Sequence, residues 1–263
     1  MSTPPLGVVG GLIALQAVYL LCVGRFRDRI PGSQRVSGAR QLVFAEGVVV
    51  LLVALASPLH DLADQYLFSA HMVQHLLITL AAAPLLLAGT PGWLLRELLQ
   101  STRLLGLARS ARHPLIAFGA FNVVFSIAHL PALYELTLSS EPLHAAEHVL
   151  FLLTALAMWL PVLSPLPDEL PRYPALGQVL YLFGQTIPSA LVGALLSASG
   201  TVVYVTYALA PRVTSLSPRD DQQLGGLIMW VGTGFYFLIA SAIVFFSWAS
   251  REEAADRRSL RAA

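Results

Sequence analysis

The chain of 263 residues is poor in charge and nearly free of cysteine. Charged residues make up 12% of the sequence, about half their share in a soluble globular domain, and hydrophobic residues make up 56%. This composition excludes an ordinary soluble domain. Because Cys22 is the single cysteine, structural disulfides are excluded as well. The net charge of +1 gives no reason to expect a nucleic-acid partner.

The apolar residues form runs long enough to cross a bilayer, which takes about 20 helical residues. We predict an all-α transmembrane helix bundle of about seven spans, a single domain over residues 1–263. The predicted spans are residues 6–24, 42–59, 66–88, 115–136, 144–163, 175–197 and 224–248. The first run lacks a basic start and a small-residue cleavage site, and so we expect a retained span.

The basic residues, all arginine, are distributed unevenly along the chain. If the spans alternate in direction, every arginine except Arg212 and Arg219 falls on one side of the membrane. The positive-inside rule makes that side cytoplasmic, which predicts an N-terminus outside and a cytoplasmic C-terminus. Aromatic residues near span ends, such as Trp159 on the cytoplasmic side and Tyr204 and Tyr207 on the outer side, agree with interfacial belts.

Two pairs of spans share a histidine pattern. In each, an outgoing helix ends in histidine, at His60 or His129, and the following inward helix opens with H-x-x-[Q/E]-H. The openings are His71-Met-Val-Gln-His75 and His144-Ala-Ala-Glu-His148. Both pairs cross in the same direction, which is the arrangement of a parallel repeat, as found in transporters.

This topology places six of the seven histidines in one layer at the outer face and leaves only His113 on the cytoplasmic side. Residues four apart share a helix face, and so each H-x-x-x-H pair can direct two imidazoles at one ion. Imidazole suits copper, zinc and iron, and a thioether adds suitability for cuprous copper. The predicted metal ligands are His60, His71, His75, His129, His144, His148, Met72, Glu147 and Asp221.

Structural roles are the alternative for several of these residues. A single membrane histidine is usually a packed polar residue bonded to a neighbouring helix. Gln74 and Glu147 could orient an imidazole instead of binding metal. Asp221 lies before the last predicted span, where an acid can cap the helix and complement its dipole.

The string His144-Ala-Ala-Glu147-His148 also matches the H-x-x-E-H motif of inverted zinc proteases. That chemistry needs a further ligand and a water-filled cleft, yet the chain has no glutamate from Arg172 to Arg251. The motif also opens a membrane span. We therefore expect a non-enzymatic protein.

Three separated strings resemble the polytopic CtaG-type cytochrome c oxidase assembly factors. They are Ser69-Ala-His71-Met-Val-Gln-His75-Leu-Leu with Ala83-Pro84 and Gly89-Thr-Pro91, His144-Ala-Ala-Glu147-His148 with Trp159-Leu-Pro161, and Asp221-Gln-Gln-Leu-Gly-Gly-Leu-Ile-Met-Trp230. The resemblance implies a seven-span protein that helps to build a bacterial haem-copper oxidase, with copper delivery as the usual supposition. It concerns the multi-span family and not the single-span copper chaperone of the same name. Unlike a typical copper chaperone, this chain has no cysteine at the outer face, which favours cupric copper or transient holding.

The leading hypothesis is therefore a copper-binding assembly factor in the bacterial cytoplasmic membrane. Its expected partners are cytochrome c oxidase subunits, a periplasmic copper donor, membrane lipid and a possible second copy of the chain. Zinc is an alternative metal. A b-type haem protein is an alternative function, because facing membrane histidines can ligate haem. A metal-ion transporter is a third, although few polar residues other than Asn122, Gln185 and Glu46 continue towards the cytoplasm.

Overall fold

The computed structural model describes residues 6–101 and 103–262, which form α-helices, short 3₁₀ and π segments and no strand. In chain order the helices are α1 (Leu6–Val23), α2 (Gly38–Ala56), α3 (Pro58–Gln65), α4 (Phe68–Leu76), α5 (Ala83–Gly89), α6 (Gly92–Ser101), α7 (Leu105–Ala111), α8 (Pro114–Ala128), α9 (Pro131–Leu138), α10 (Glu141–Leu163), α11 (Ala175–Ala198), α12 (Val205–Leu209), α13 (Pro218–Leu227) and α14 (Thr233–Ala262). A π segment, Leu77–Ala82, joins α4 to α5, and another, Ile228–Gly232, joins α13 to α14. The predicted all-α fold is confirmed.

Six helices in the described part of the chain are long and apolar enough to cross a membrane. They are α1, α2, the continuous helix Phe68–Gly89, α10, α11 and the continuous helix that begins at Pro218. A seventh span is reached only if α7 and α8, bent by 90° at their junction, count as one. The chain is therefore a multi-span membrane protein with six or seven spans.

The fourth predicted span, residues 115–136, is divided in the structure. Helix α8 has 15 residues and is capped by His129, and α9 begins at Pro131. Proline disfavours a helical conformation in the residue before it, and Leu130 is accordingly extended. This break places His129 at a helix end, beside the other histidines.

The second predicted span, residues 42–59, also differs from the observed helix. Helix α2 begins at Gly38, where Ser37 caps it, and ends at Ala56. Ser57 then accepts a hydrogen bond from the Leu59 amide and starts the short helix α3. As a result, Glu46 lies near the middle of α2 on an exposed face.

Four of the six spans and helix α8 contact one another in a closed ring. The helix Phe68–Gly89 packs against α10, α10 against α8, α8 against α11, α11 against α13 and α14, and α13 back against α4. Helices α1 and α2 lie outside this ring, with α2 packed against Phe68–Gly89. Two apolar clusters correspond to this division, one inside the ring and one between α1, α2 and the ring.

The π segment Leu77–Ala82 is explained by Pro84. Proline has no amide hydrogen and its ring clashes with the carbonyl four residues before it, here that of Leu80. The Tyr236 hydroxyl donates a hydrogen bond to this Leu80 carbonyl. The Trp159 indole donates to the Thr79 carbonyl at 3.0 Å. Side chains of the ring therefore satisfy the carbonyls that the proline leaves without partners.

The expected positions of three aromatic residues in interfacial belts are corrected by their burial inside the bundle. Trp159 is buried at 3% exposure, and Tyr204 and Tyr207 are each buried at 1%. The two tyrosines lie in the segment between α11 and α13, which folds back over the end of the ring. The end of the bundle that carries the six histidines is called the histidine end below.

Candidate metal centre

Four helices direct histidines towards one another at the histidine end. Helix α4 supplies His71 and His75, and α10 supplies His144 and His148, each pair one helical turn apart. The end of α8 adds His129. Apart from His60 on α3, these side chains are buried, with His71 at 1% exposure.

Adjacent imidazole rings in this cluster lie close together. Ring centroids are 4.3 Å apart for His71 and His75, 4.3 Å for His144 and His148, and 5.5 Å for His75 and His148. His129 lies 6.3 Å from His75, and His60 lies 6.4 Å from His148. The predicted gathering of six histidines at one end of the bundle is thus confirmed.

Among the residues that the structure describes, two groups of three have metal-ligating atoms within 4.8 Å of one another. The first, called the buried trio, is His71, His75 and His148. The second, called the rim trio, is Asp64, His71 and His144. His71 belongs to both.

Within the buried trio, the Nε2 atoms of His71 and His75 are 2.9 Å apart and form a hydrogen bond. Imidazole nitrogens bind a metal such as zinc at about 2.0–2.1 Å. Two such ligands at right angles would therefore be separated by about 2.9 Å. The spacing of this hydrogen-bonded pair is therefore also compatible with two ligands of one ion.

Hydrogen bonds fix the tautomers of two imidazoles. The Tyr207 hydroxyl donates to the Ala63 carbonyl at 2.6 Å, and its oxygen lies 2.9 Å from His71 Nδ1. Because the Tyr207 hydroxyl already donates its proton to Ala63, its oxygen accepts a hydrogen bond from His71 Nδ1–H. With the proton on Nδ1, His71 Nε2 carries a lone pair. His129 Nδ1 donates in the same way to the Phe125 carbonyl at 2.7 Å. A partner on the second ring nitrogen is characteristic of metal-binding histidines.

Several buried polar atoms of the cluster have no hydrogen-bond partner in the described part of the chain. They are His75 Nδ1, His129 Nε2, His148 Nε2 and Glu147 Oε1. Such atoms are rare in folded proteins because an unpaired buried polar group costs about 1–3 kcal/mol. Lone pairs left on buried imidazoles are suitable for binding a metal ion, and so the residues present fit a metal.

Comparison with known proteins identifies the family of the chain. The family described as cytochrome c oxidase caa3 assembly factor (Caa3_CtaG) matches residues 17–251, nearly the whole chain. The chain belongs to this family. Comparison with curated proteins and with solved structures gave no match. Its role is accordingly that of a cytochrome c oxidase assembly factor, and its association with that oxidase follows from the role.

In this assembly factor, two predicted ligands have structural partners. Asp221 accepts hydrogen bonds from the Phe68 amide at 2.7 Å and the Ser69 amide at 3.1 Å, and also from the Ser69 hydroxyl. It therefore caps the N-terminus of α4. Glu147 Oε2 lies 3.3 Å from His144 Nδ1. Both carboxylates hold histidine-bearing elements in place.

The remaining predicted residues are placed as follows. Met72 is buried at 1% exposure in the apolar core of the ring, and its ligand role stays a prediction. Gln74 donates to the Ala54 carbonyl at 2.9 Å, and its Nε2 lies 3.0 Å from His60 Nδ1. His113 precedes α8 at its opposite end from His129, away from the cluster.

Sequence reasoning missed Asp64 and Tyr207 of the assembly factor. Asp64 is four residues after His60, the same spacing that identified the histidine pairs, but those residues were expected to form a loop. In the observed α3, Asp64 Oδ2 lies 3.4 Å from His60 Nδ1 and its Oδ1 lies 3.1 Å from His144 Nε2. Tyr207 had no local signal, because the contact with His71 spans 136 positions.

Proposed function

We propose that this assembly factor binds copper at its histidine end and holds it for insertion into cytochrome c oxidase. The observation that supports this most is the buried trio of His71, His75 and His148, in which His75 Nδ1 and His148 Nε2 have no hydrogen-bond partner among the described residues. Imidazole suits copper, and an oxidase assembly factor is a protein for which copper would be a cargo. Copper would here be bound and released without catalysis.

Each residue has a distinct part in this proposal. His71, His75 and His148 would bind the ion. Tyr207 and the Phe125 carbonyl would keep His71 and His129 in the tautomers that present Nε2. The bacterial cytoplasmic membrane, the predicted orientation, an oxidase subunit as acceptor, a periplasmic copper donor and a second copy of the chain are parts of the proposal that need their own tests.

The alternatives are less well supported. Imidazole rings with centroids 4.3–6.5 Å apart leave no room for a porphyrin between them, which disfavours haem. A transport path is disfavoured because Asn122 Nδ2 donates to Gln185 Oε1 at 2.6 Å beneath the cluster, and Glu46 lies on α2 outside the ring. Zinc fits the same ligands and is best treated as a competitor in the binding assay.

The deciding experiment is copper titration of the purified chain in detergent. We expect one copper ion per chain, bound at least tenfold more weakly by the His71→Ala and His148→Ala variants. His113→Ala is the matched control, since His113 is a histidine of the same chain outside the cluster. Absence of copper binding in the wild type, or unchanged binding in both cluster variants, would refute the proposal. A Soret band in the wild type would indicate haem instead.

The cellular test uses cells that lack the chain. Wild type and His113→Ala should restore cytochrome c oxidase activity, and His71→Ala should not. Full restoration by His71→Ala at equal protein level would separate oxidase assembly from metal binding, and the copper proposal would then fail.

A further inference from the structure

We infer that the histidine end contains two metal stations in series, which share His71, and that Asp64 is a ligand of the outer one. The outer station is the rim trio and the inner station is the buried trio. This inference rests on the proposed copper binding. It assigns a metal-binding role to a carboxylate and a direction to the movement of the ion.

Accessibility distinguishes Asp64 from the other ligands of the two stations, because His71, His75, His144 and His148 are all buried, at 1–6% exposure. The side chains of His60 and Asp64 are each 24% exposed, whereas that of His144 is 8% exposed. In the buried trio, His75 and His148 are 4% and 6% exposed. An ion arriving at the histidine end therefore meets Asp64 before it can meet the buried trio.

Charge separates the two stations. Asp64 lies between His60 and His144, with one carboxylate oxygen towards each imidazole. Glu147 adds a second carboxylate on the other side of His144. These acids attract a cation to the rim, because charged groups at a cleft raise the local ion concentration. The buried trio consists of imidazoles alone, which are softer ligands than a carboxylate.

Transfer between the stations would be a ligand exchange. The bonds from the ion to Asp64 Oδ1 and His144 Nε2 break, bonds to His75 and His148 form, and His71 stays bound. The imidazoles of His71, His75 and His148 are neutral and bind through the nitrogen that carries no proton. His144, whose two ring nitrogens face Asp64 and Glu147, gives up one proton to water when the ion binds and regains it when the ion leaves, and no electron is transferred. Since His71 serves both stations, only one of them can be fully occupied at a time.

The test measures the kinetics of Cu²⁺ binding to the full chain in detergent by stopped-flow. In Asp64→Asn we expect association and dissociation both to slow by roughly tenfold or more, with the equilibrium affinity nearly unchanged. Asp220→Asn is the matched control, because Asp220 is an exposed acid at the same end whose carboxylate accepts from Ser217. Wild-type rates in Asp64→Asn would overturn the two-station inference. Slower association with unchanged dissociation would also overturn it, since that result indicates attraction by charge without binding.

A second variant allows copper at the outer station to be detected by spectroscopy. In His148→Ala the inner station lacks a ligand, and we expect Cu²⁺ to remain at the rim with an oxygen ligand detectable by electron paramagnetic resonance. Adding Asp64→Asn should remove that signal, and a signal that persists would overturn the inference. If the wild type bound no copper, the proposed function itself would fail. Copper binding by the wild type with no role for Asp64 would refute the two stations alone.

Discussion

Tyr207 Oη lies 2.9 Å from His71 Nδ1, although 136 positions separate the two residues in sequence. The contact joins the segment between α11 and α13 to the centre of the histidine cluster. Because the same hydroxyl donates to the Ala63 carbonyl, the tyrosine determines which nitrogen of His71 faces the buried trio. The segment that covers the cluster therefore contributes to its chemistry as well as to its burial.

Replacing Tyr207 by phenylalanine should weaken copper binding by about 10–100-fold, since loss of such an outer partner frees the imidazole to change tautomer and orientation. The measurement is a copper titration of the purified variant. Tyr181→Phe is the matched control, because the Tyr181 hydroxyl donates to the Met158 carbonyl, away from the cluster. Equal weakening in both variants would indicate a general loss of packing.

Replacing Asp221 by alanine should lower the free energy of unfolding by about 0.5–2 kcal/mol, the usual contribution of an N-terminal cap. The copper stoichiometry should stay the same, because the carboxylate is bonded to Phe68 and Ser69. Thermal unfolding in detergent and a copper titration together check this. Loss of copper with unchanged stability would support the predicted ligand role of Asp221.

Replacing Tyr236 by phenylalanine should lower the free energy of unfolding by about 1–3 kcal/mol, because the Leu80 carbonyl loses its buried hydrogen-bond donor. Pro84→Ala supplies an amide hydrogen that can bond to the same carbonyl. The double variant should therefore be more stable than the sum of the single effects predicts. Strict additivity in thermal unfolding would show that the proline and the tyrosine are not coupled.

The ion pair between Arg96 and Glu169 predicts a small pH dependence at the opposite end of the bundle. The Arg96 guanidinium holds the pKa of the Glu169 carboxyl below its usual range. The stabilisation is therefore present above about pH 4.3, the ordinary value for glutamate, and is lost as the pH falls through the lowered pKa. It should not exceed about 1 kcal/mol, since both side chains are partly exposed.

Thermal unfolding of Glu169→Gln checks this dependence. The variant should be slightly less stable than the wild type at pH 7, and the difference should disappear below the lowered pKa. A difference that grows on acidification would contradict the sign of the effect.

Much of the site could be predicted because helical spacing and burial cost are local properties. The four-residue spacing in the two H-x-x-x-H pairs placed four imidazoles on two helix faces, and the scarcity of polar residues in membranes indicated that these faces meet. Asp64 was missed because Ser57 and Pro58 start a new helix where a loop was expected. The buried position of Tyr207 depends on how a long segment folds back, which no local pattern encodes.

The closing contact of the ring sets an order of events during synthesis. Asp221, which caps the helix that carries His71 and His75, is 153 positions further along the chain than Phe68. Chains are made from the N-terminus, and so these two histidines reach the membrane well before the residue that anchors their helix. A nascent chain halted before Pro218 has its six histidines but not its closed ring. The ring of helices around the buried trio therefore closes only once the last span is in place.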